Sequence, residues 1–245
     1  MRQILTFIIL MTFSIVEAQI PDGNEIIRRI DQNMSSENRT FTSKMVIHGI
    51  RNSRTLELRT WTRGENMSFT EFLYPVREEG TKMLKLEDQL WIYSPISDRT
   101  IQILGHMLRQ SVMGSDMSYE DLMEDNKLMN HYNAEVTGSE MIEDTECWVV
   151  KLTAFDPEVT YQIKTLWVDK AKFIPLREEL FAKSGTLLKR TNLSNIENIN
   201  GRWFPKKIVF KDMLQDGEGT EFIIEEIQFN VEIPEYVFSK GNLKK

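Results

Sequence analysis

Three histidines are the side chains of this sequence best suited to bind a transition metal, and they stand far apart at His48, His106 and His131. Zinc sites are usually built from short motifs such as HExxH or paired cysteines, because ligands close in sequence are held by one local structure. The sequence contains neither motif. It therefore predicts no zinc site, and nothing in it indicates another metal or an organic cofactor.

Four acids at Glu120, Asp121, Glu124 and Asp125 form a second group that could attract a cation. Their spacing does not fit the EF-hand loop that binds calcium. Acidic side chains are common in the first turn of a helix, because negative charge there interacts favourably with the helix dipole. The start of a helix therefore explains this group better than a metal site does.

A nucleophile is also hard to find. The single cysteine, Cys147, lies in ECWVVKL, where Trp and Val neighbours favour a small buried strand residue over a reactive thiol. The sequence has no phosphate-binding loop, no dinucleotide glycine motif and no GxSxG motif. These absences favour a protein that is not an enzyme.

Charge and composition exclude further classes. The 245 residues carry a formal net charge of −7, with 41% hydrophobic and 27% charged residues, which is ordinary for one globular domain. Nucleic-acid binding needs clustered Lys and Arg to neutralise phosphates, and an acidic chain without such clusters is a poor candidate. The same balance argues against simple electrostatic attachment to anionic lipid headgroups.

The first 18 residues read as a secretory signal peptide. Arg2 gives the positive start, Ile4–Phe13 form an apolar run too short to cross a bilayer, and Ala18 is a small residue suited to cleavage before Gln19. A buried N-terminal helix is the alternative. No later stretch has the apolar length of a membrane span, so we expect residues 19–245 to form one exported, soluble domain.

The elements that must position any site are two helices and a large sheet. Ile26, Ile27, Ile30 and Met34 recur at helical spacing after the N-cap candidates Asp22 and Asn24. A second helix is predicted within residues 114–132, with Ser115, Asp116 and Ser118 as N-cap candidates. Ser118 and Asp121 have the spacing of a loose capping box. The rest reads as about ten antiparallel strands separated by turn residues.

Several strands carry apolar side chains on both faces, whereas a strand with one wet face alternates. The second face could pack on helices, form a protein interface, or line a cavity for an apolar ligand. Periodicity does not say which face turns inward. The cavity candidates are Leu90, Trp91, Ile92, Tyr93, Trp148, Leu166 and Trp167.

Methionines add a weaker signal. Six of them lie between residues 83 and 129, and flexible Met side chains adapt to ligands of varied shape. Gap-filling in an ordinary core explains them equally well. These residues are Met83, Met107, Met113, Met117, Met123 and Met129.

The segments LWIYSP, TWTRGENMSFTEFLYP, GSDMSYEDL, WVDKAKFIPLREELFAKSG and IPEYVFS together resemble the periplasmic lipoprotein-carrier superfamily typified by LolA. The resemblance is closest to the branch described as outer-membrane lipoprotein-sorting proteins, and it covers nearly all of residues 19–245. It implies an unclosed antiparallel β-barrel, or half-barrel, with a helical lid over a hydrophobic cavity that accepts acyl chains.

The resemblance also implies a role for one arginine. The family uses an arginine to hold the lid shut, and the matching position here is Arg63. The family's Arg-Pro-Asn is replaced by Arg63-Gly64-Glu65, so an ordinary cation at a strand end is the alternative.

The first functional hypothesis is a periplasmic carrier that binds lipid or lipoprotein acyl chains and moves them toward the outer membrane. Its partners would be an inner-membrane transporter and an outer-membrane acceptor. The alternative is a periplasmic adaptor whose apolar concave face binds a membrane transporter or another protein. An enzyme such as a hydrolase is the third hypothesis, and no nucleophile–base pair in the sequence supports it.

Overall fold

The computed structural model describes residues 21–49, 52–124 and 127–245. The predicted signal peptide at residues 1–18 and Asp125 lie outside the described residues. Within the described part of the chain, no helix combines the length and the hydropathy that crossing a bilayer requires.

In the described residues, all the strands belong to one antiparallel sheet of 13 strands. Its spatial order is β6-β5-β4-β3-β2-β1-β13-β12-β11-β10-β9-β8-β7, so β1 and β13 lie at the centre. The edge strands β6 and β7 are not paired with each other, and the sheet is an unclosed barrel. The strands are β1 (Asn38–His48), β2 (Ser53–Arg63), β3 (Met67–Tyr74), β4 (Lys82–Leu86), β5 (Gln89–Ser94), β6 (Arg99–Ile103), β7 (Tyr132–Ile142), β8 (Thr145–Ala154), β9 (Ile163–Asp169), β10 (Pro175–Phe181), β11 (Leu187–Ile199), β12 (Arg202–Asp212) and β13 (Thr220–Phe229).

The sheet has more strands than the ten or so predicted. The strand that the sequence signals least is β7, because most of its side chains are exposed at the sheet edge. An edge strand without a continuous apolar face leaves little periodic pattern to read. Its first residue, Tyr132, falls within the range predicted for the second helix.

Helix α1 (Gly23–Met34) forms as its spacing predicts. The Asp22 side chain accepts a hydrogen bond from the Asn24 backbone N–H at the N-cap. Ile26, Ile27 and Ile30 are buried against the sheet, which fixes the helix by packing.

Helix α2 (Tyr119–Met123) is much shorter than the predicted second helix. The expected capping box is present, because Ser118 and Asp121 exchange side-chain and backbone hydrogen bonds. The helix stops at Glu124, whose backbone is extended. Single-turn 3₁₀ helices at Gly105–Arg109 and Val112–Gly114 precede α2. We call residues 105–124 the lid segment.

The chain ends in two further 3₁₀ helices, Glu235–Phe238 and Lys240–Lys244, and another at Leu128–Asn130 precedes β7. We call residues 231–244 the C-terminal segment. It packs on the face of β3, β4 and β5 opposite to the lid segment, as the side-chain alternation below shows. Each apolar face of this part of the sheet therefore has its own cover.

The lid segment and α1 cover the same face of the sheet, which we call the inner face. Residues directly opposite on antiparallel neighbours share a face. Thr220, which bonds to the lid segment, lies opposite Phe210, and the row continues through Thr191 and Glu178 to Leu166, which packs under α1.

Candidate functional site

The LWIY strand divides its side chains between the two faces. Leu90 and Ile92 lie on the inner face and are buried, with exposed fractions of 2% and 8%. They pack with Met83 and Val112 in an apolar cluster beneath the lid segment. Methionines of the lid segment, Met107, Met113 and Met123, pack against the same cluster.

Trp91 and Tyr93 lie on the outer face, where the C-terminal segment covers them. Trp91 is buried in a cluster with Val237 and Phe238. The ammonium of Lys240 lies 3.9 Å from the centre of the Trp91 ring, a cation–π contact. The second apolar face of this strand is therefore explained by the protein's own C-terminal segment, which the sequence analysis did not consider.

The other candidates divide in the same way. Leu166 and Trp148 lie on the inner face, in or against the apolar cluster under α1. Trp167 lies on the outer face with Cys147, and its indole N–H donates to Glu140 Oε2 at 2.7 Å. Four of the seven candidates, Leu90, Ile92, Trp148 and Leu166, thus share the inner face.

The inner face also carries three lysines that the sequence analysis missed. Lys85 and Lys164 are only 5% and 8% exposed. Lys189 is nearly as buried, with 12% of its side chain exposed. A buried ammonium is stable only when it is paired and hydrogen-bonded, so the partners of these lysines matter.

The lid segment supplies those partners. The Asp121 carboxylate pairs with Lys189, and the Glu124 carboxylate lies 3.3 Å from the ammonium of Lys164. Lys85 donates to the backbone carbonyls of Glu65 at 2.8 Å and Met123 at 3.1 Å. The lid segment is thus joined to the inner face by charged hydrogen bonds.

Two tyrosines complete this polar cluster. The Tyr161 hydroxyl donates to Asp121 Oδ1 at 2.5 Å, and the Tyr132 hydroxyl donates to the Tyr161 carbonyl at 2.9 Å and weakly to Glu124 Oε1 at 3.4 Å. Burial, together with the nearby carboxylates, raises the pKa of both hydroxyls well above the ordinary value. They therefore stay protonated and act as hydrogen-bond donors. Nothing in this arrangement activates them as bases.

A further tie holds the middle of the lid segment. Asp116 accepts hydrogen bonds from the Thr220 hydroxyl at 2.8 Å and from the Asp212 backbone N–H at 3.0 Å. Arg54 donates to the Met113 carbonyl. The lid's own backbone bonds are internal, as between Val112 and Met117, so side chains rather than a β-ladder hold it to the sheet.

A cleft of about 850 Å³ opens between the C-terminal half of α1 and the β2–β3 turn. Arg28, Ser35, Glu65 and Arg202 are among its lining residues, so charges of both signs face it. Burying these charges under a hydrocarbon chain would be costly. An apolar ligand is better accommodated by the inner face beneath the lid segment.

The comparisons with known proteins bear on this architecture. Residues 64–245 match the model of a protein family whose description reads "uncharacterized protein". The chain belongs to this family. The comparison with curated proteins gave no match.

Solved structures show the fold. A putative outer membrane lipoprotein-sorting protein domain from Vibrio parahaemolyticus is 24% identical, with a TM-score of 0.79 over 91% of this chain and 98% of that one. A DUF1329 family protein from Desulfovibrio piger is 23% identical, with a TM-score of 0.81 over 90% of this chain and 97% of that one. A LolA superfamily protein from Nitrosomonas europaea is 23% identical, with a TM-score of 0.75 over 91% of this chain and 100% of that one. This chain has the LolA-superfamily fold.

Within the LolA-like fold of this chain, Arg63 lies away from the lid segment. Its guanidinium donates to the Ile233 carbonyl at 2.7 Å and lies 5.1 Å from the centre of the Phe238 ring. Both partners belong to the C-terminal segment on the outer face. The cations that contact the lid segment include Lys85, Lys164, Lys189 and Arg54. Arg63, which the resemblance implies to hold the lid, instead bonds to the C-terminal segment.

The histidines stay apart in the structure. His131 Nδ1 lies 2.8 Å from Asp156, and His48 Nδ1 lies 3.0 Å from the Ser53 hydroxyl. His106 is exposed on the lid segment. Among the described residues, no group of three or more His, Cys, Asp or Glu side chains is arranged to hold a metal ion.

Proposed function

We propose that this protein is a periplasmic carrier that holds acyl chains of a lipid or lipoprotein against its inner face and moves them toward the outer membrane. One observation carries the proposal. The lid segment covers the apolar inner face around Leu90 and Ile92. It makes no β-ladder with the sheet and is held to it by hydrogen bonds and ion pairs of side chains. Such a cover can leave without breaking a strand pairing.

The chemistry of acyl transfer explains why a removable cover would be useful. Exposing an acyl chain to water costs about 0.8 kcal/mol per CH₂, or on the order of 12 kcal/mol for a chain of about sixteen carbons. A face that accepts the chain removes much of that cost. A lid that closes again over the empty face keeps the free protein from aggregating.

The side chains under the lid support this reading. Met107, Met113 and Met123 pack on the inner cluster from the lid side, and Met83 lies in the sheet below them. Unbranched thioether side chains change shape at low cost, so they can line either a closed core or an occupied one. The similar Vibrio parahaemolyticus structure is described as a putative outer membrane lipoprotein-sorting protein domain, which is also compatible with this function.

The direct test is binding. Protein purified without detergent should carry extractable lipid, identified by mass spectrometry, or should bind a fluorescent fatty acid that unlabelled competitors displace. Ile92→Glu places a charge on the inner face and should abolish binding. The matched control is Ile96→Glu, the same change at a side chain that is 78% exposed in the β5–β6 turn.

Because Ile92→Glu could unfold the protein, a second variant is needed. Met107 is half-buried on the lid segment, so Met107→Glu should weaken binding while the thermal transition is retained. Lipid-free protein that ignores every acyl probe would contradict the carrier. Photocrosslinking at position 92 that recovers peptides but no lipid would favour the adaptor instead.

Export is the other half of the proposal. The protein recovered from the exporting cell should begin at Gln19, which N-terminal sequencing would show. A mature protein that retains residues 1–18 would contradict the signal peptide, and with it the periplasmic location.

A further inference from the structure

The lysines of the inner face stand in a place that an acyl chain alone does not explain. Lys164 and Lys189 lie on strands whose other inward side chains are mostly apolar, such as Leu166, Val168 and Leu193. A carrier for pure hydrocarbon would be better served by Leu or Met at both positions.

Both ammonium groups are occupied by carboxylates that belong to the lid. Asp121 pairs with Lys189, and Glu124 pairs with Lys164 at 3.3 Å. The Tyr161 and Tyr132 hydroxyls donate to the same two carboxylates, at 2.5 and 3.4 Å. Together these donors form a site for carboxylate-like anions, and the closed lid fills it with its own acids.

Opening the lid changes the charge balance of this site. The carboxylates leave with the lid, whereas the ammonium groups stay on the sheet. Opening therefore breaks both ion pairs, and water or another anion must then compensate the ammonium groups. With the lid closed, burial and the nearby Glu124 raise the pKa of Glu178, the sheet's own carboxyl beside Lys164, so the lid acids are the main counter-charges there.

A ligand that brings its own anion would provide this compensation. We propose that Lys164 and Lys189 bind the anionic group, carboxylate or phosphate, of an acyl amphiphile in exchange for Glu124 and Asp121 when the lid opens. This proposal rests on the carrier function and specifies its ligand class. The acyl chain lies on the apolar inner face, and the anion takes the hydrogen bonds that the lid acids gave up.

Matched amphiphiles test the exchange. A neutral apolar dye, N-phenyl-1-naphthylamine, would be bound first and then displaced by laurate, dodecyl phosphate or dodecanol, each below its micelle concentration. The two anions should displace the dye at concentrations at least about tenfold lower than the alcohol, as one or two charge-assisted hydrogen bonds would provide. Acetate and inorganic phosphate should not displace it.

The lysine variants locate the effect. Lys164→Met and Lys189→Met keep the apolar stem and should each reduce the ratio between the dodecanol and the anion concentrations that displace the dye. Lys44→Met is the control, because Lys44 pairs with Glu225 at 2.5 Å on the solvent-exposed surface. If a methionine variant fails to fold, Asp121→Asn serves instead. It removes the internal competitor and should increase the preference for the anions over dodecanol.

The outcomes separate the two claims. Equal displacement by all three amphiphiles would overturn the anion site while leaving the carrier function intact. Displacement by none of them would overturn the carrier function itself. If inorganic phosphate displaced the dye as strongly as dodecyl phosphate does, the lysines would form a site for free anions. That result would overturn the proposal that the ligand is an amphiphile.

Discussion

Glu178 carries a carboxyl group on the inner face, and burial raises the pKa of this group above its ordinary value of 4.5. The charge of Lys164 opposes this increase, and the charge of Glu124 adds to it. A carboxyl with a raised pKa in the folded state binds its proton more tightly there than in the unfolded chain. Its contribution to the folding stability is therefore complete at pH values below its pKa in the unfolded chain. The contribution is lost as the pH rises through its pKa in the folded protein.

Glu178→Gln should therefore stabilise the protein at neutral pH, with a melting temperature higher by a few degrees. The gain should shrink and vanish in acid, below about pH 4, where both states of the native carboxyl are protonated. Thermal unfolding followed at several pH values measures this. The control is Glu179→Gln, one residue away on the opposite face, which loses an ion pair with Arg190 at 2.7 Å. A pH-independent effect of Glu178→Gln would contradict the assignment.

Cys147 is fully buried, and burial is the main cause that raises the pKa of its thiol to about 11. Only the thiolate attacks alkylating reagents, so the native thiol should react very slowly at mildly alkaline pH. Iodoacetamide labelling followed by mass spectrometry should leave the native protein unmodified over a period in which the guanidinium-unfolded chain is fully labelled. Rapid labelling of the folded protein would show a reactive cysteine, against the interpretation from the sequence.

At the scale of elements, the C-terminal segment covers the outer face. The described apolar side chains that it packs with all belong to the outer cluster. Phe238 is 6% exposed and packs with Trp91. Phe238→Ala should cost about 3–5 kcal/mol of stability, because it leaves a cavity in a packed cluster. Since that cluster lies on the face opposite to the lid, the affinity for an acyl probe should stay unchanged.

The comparison variant for that experiment is Met107→Ala on the lid segment. This half-buried side chain should cost less stability and weaken probe binding several-fold. Denaturant unfolding and dye displacement on both variants separate the two faces. If Phe238→Ala weakens binding as much as Met107→Ala while the protein remains folded, the ligand does not reside on the inner face alone.

The sequence predicted these elements unevenly, and the reasons are physical. Strand and helix periodicity identified α1, and the Ser118–Asp121 capping box was readable because it is local. The length of α2 was not, since its end at Glu124 is set by contacts with the sheet. Apolar side chains on both faces of LWIY were visible, but the direction of each face depends on which distant segment covers it.

The polar part of the site could be predicted least. Lys85, Lys164 and Lys189 occupy alternating positions in strands with apolar neighbours, and that pattern is a signal once the inward face is known. Their partners in the lid segment are distant in sequence. Lys85 and the Met123 carbonyl are 38 residues apart, and Lys189 and the Asp121 carboxylate are 68 residues apart. Residue spacing within one strand or helix cannot predict contacts between residues so far apart in the sequence.

At the scale of the whole molecule, one continuous sheet carries two different kinds of cover. The inner face is covered by α1 and the lid segment, and the outer face of β3 to β5 by the C-terminal segment. The carrier function requires that only the lid segment moves. Asp116 and Thr220 are the place to test this, because their side-chain oxygens lie 2.8 Å apart between the lid and the central strand β13.

Replacing both residues with cysteine in a Cys147→Ser background would allow a disulfide to tie the lid to the sheet. The oxidised protein should bind a fluorescent fatty acid at least about tenfold more slowly than the reduced protein, because the inner face stays covered. Reduction should restore binding in the same sample, so each preparation is its own control, and thiol titration would verify that the bond had formed. Equal rates in the two states would mean that acyl chains enter without movement of the lid around Asp116, and the sheet edge at β6 or β7 would then have to provide the route.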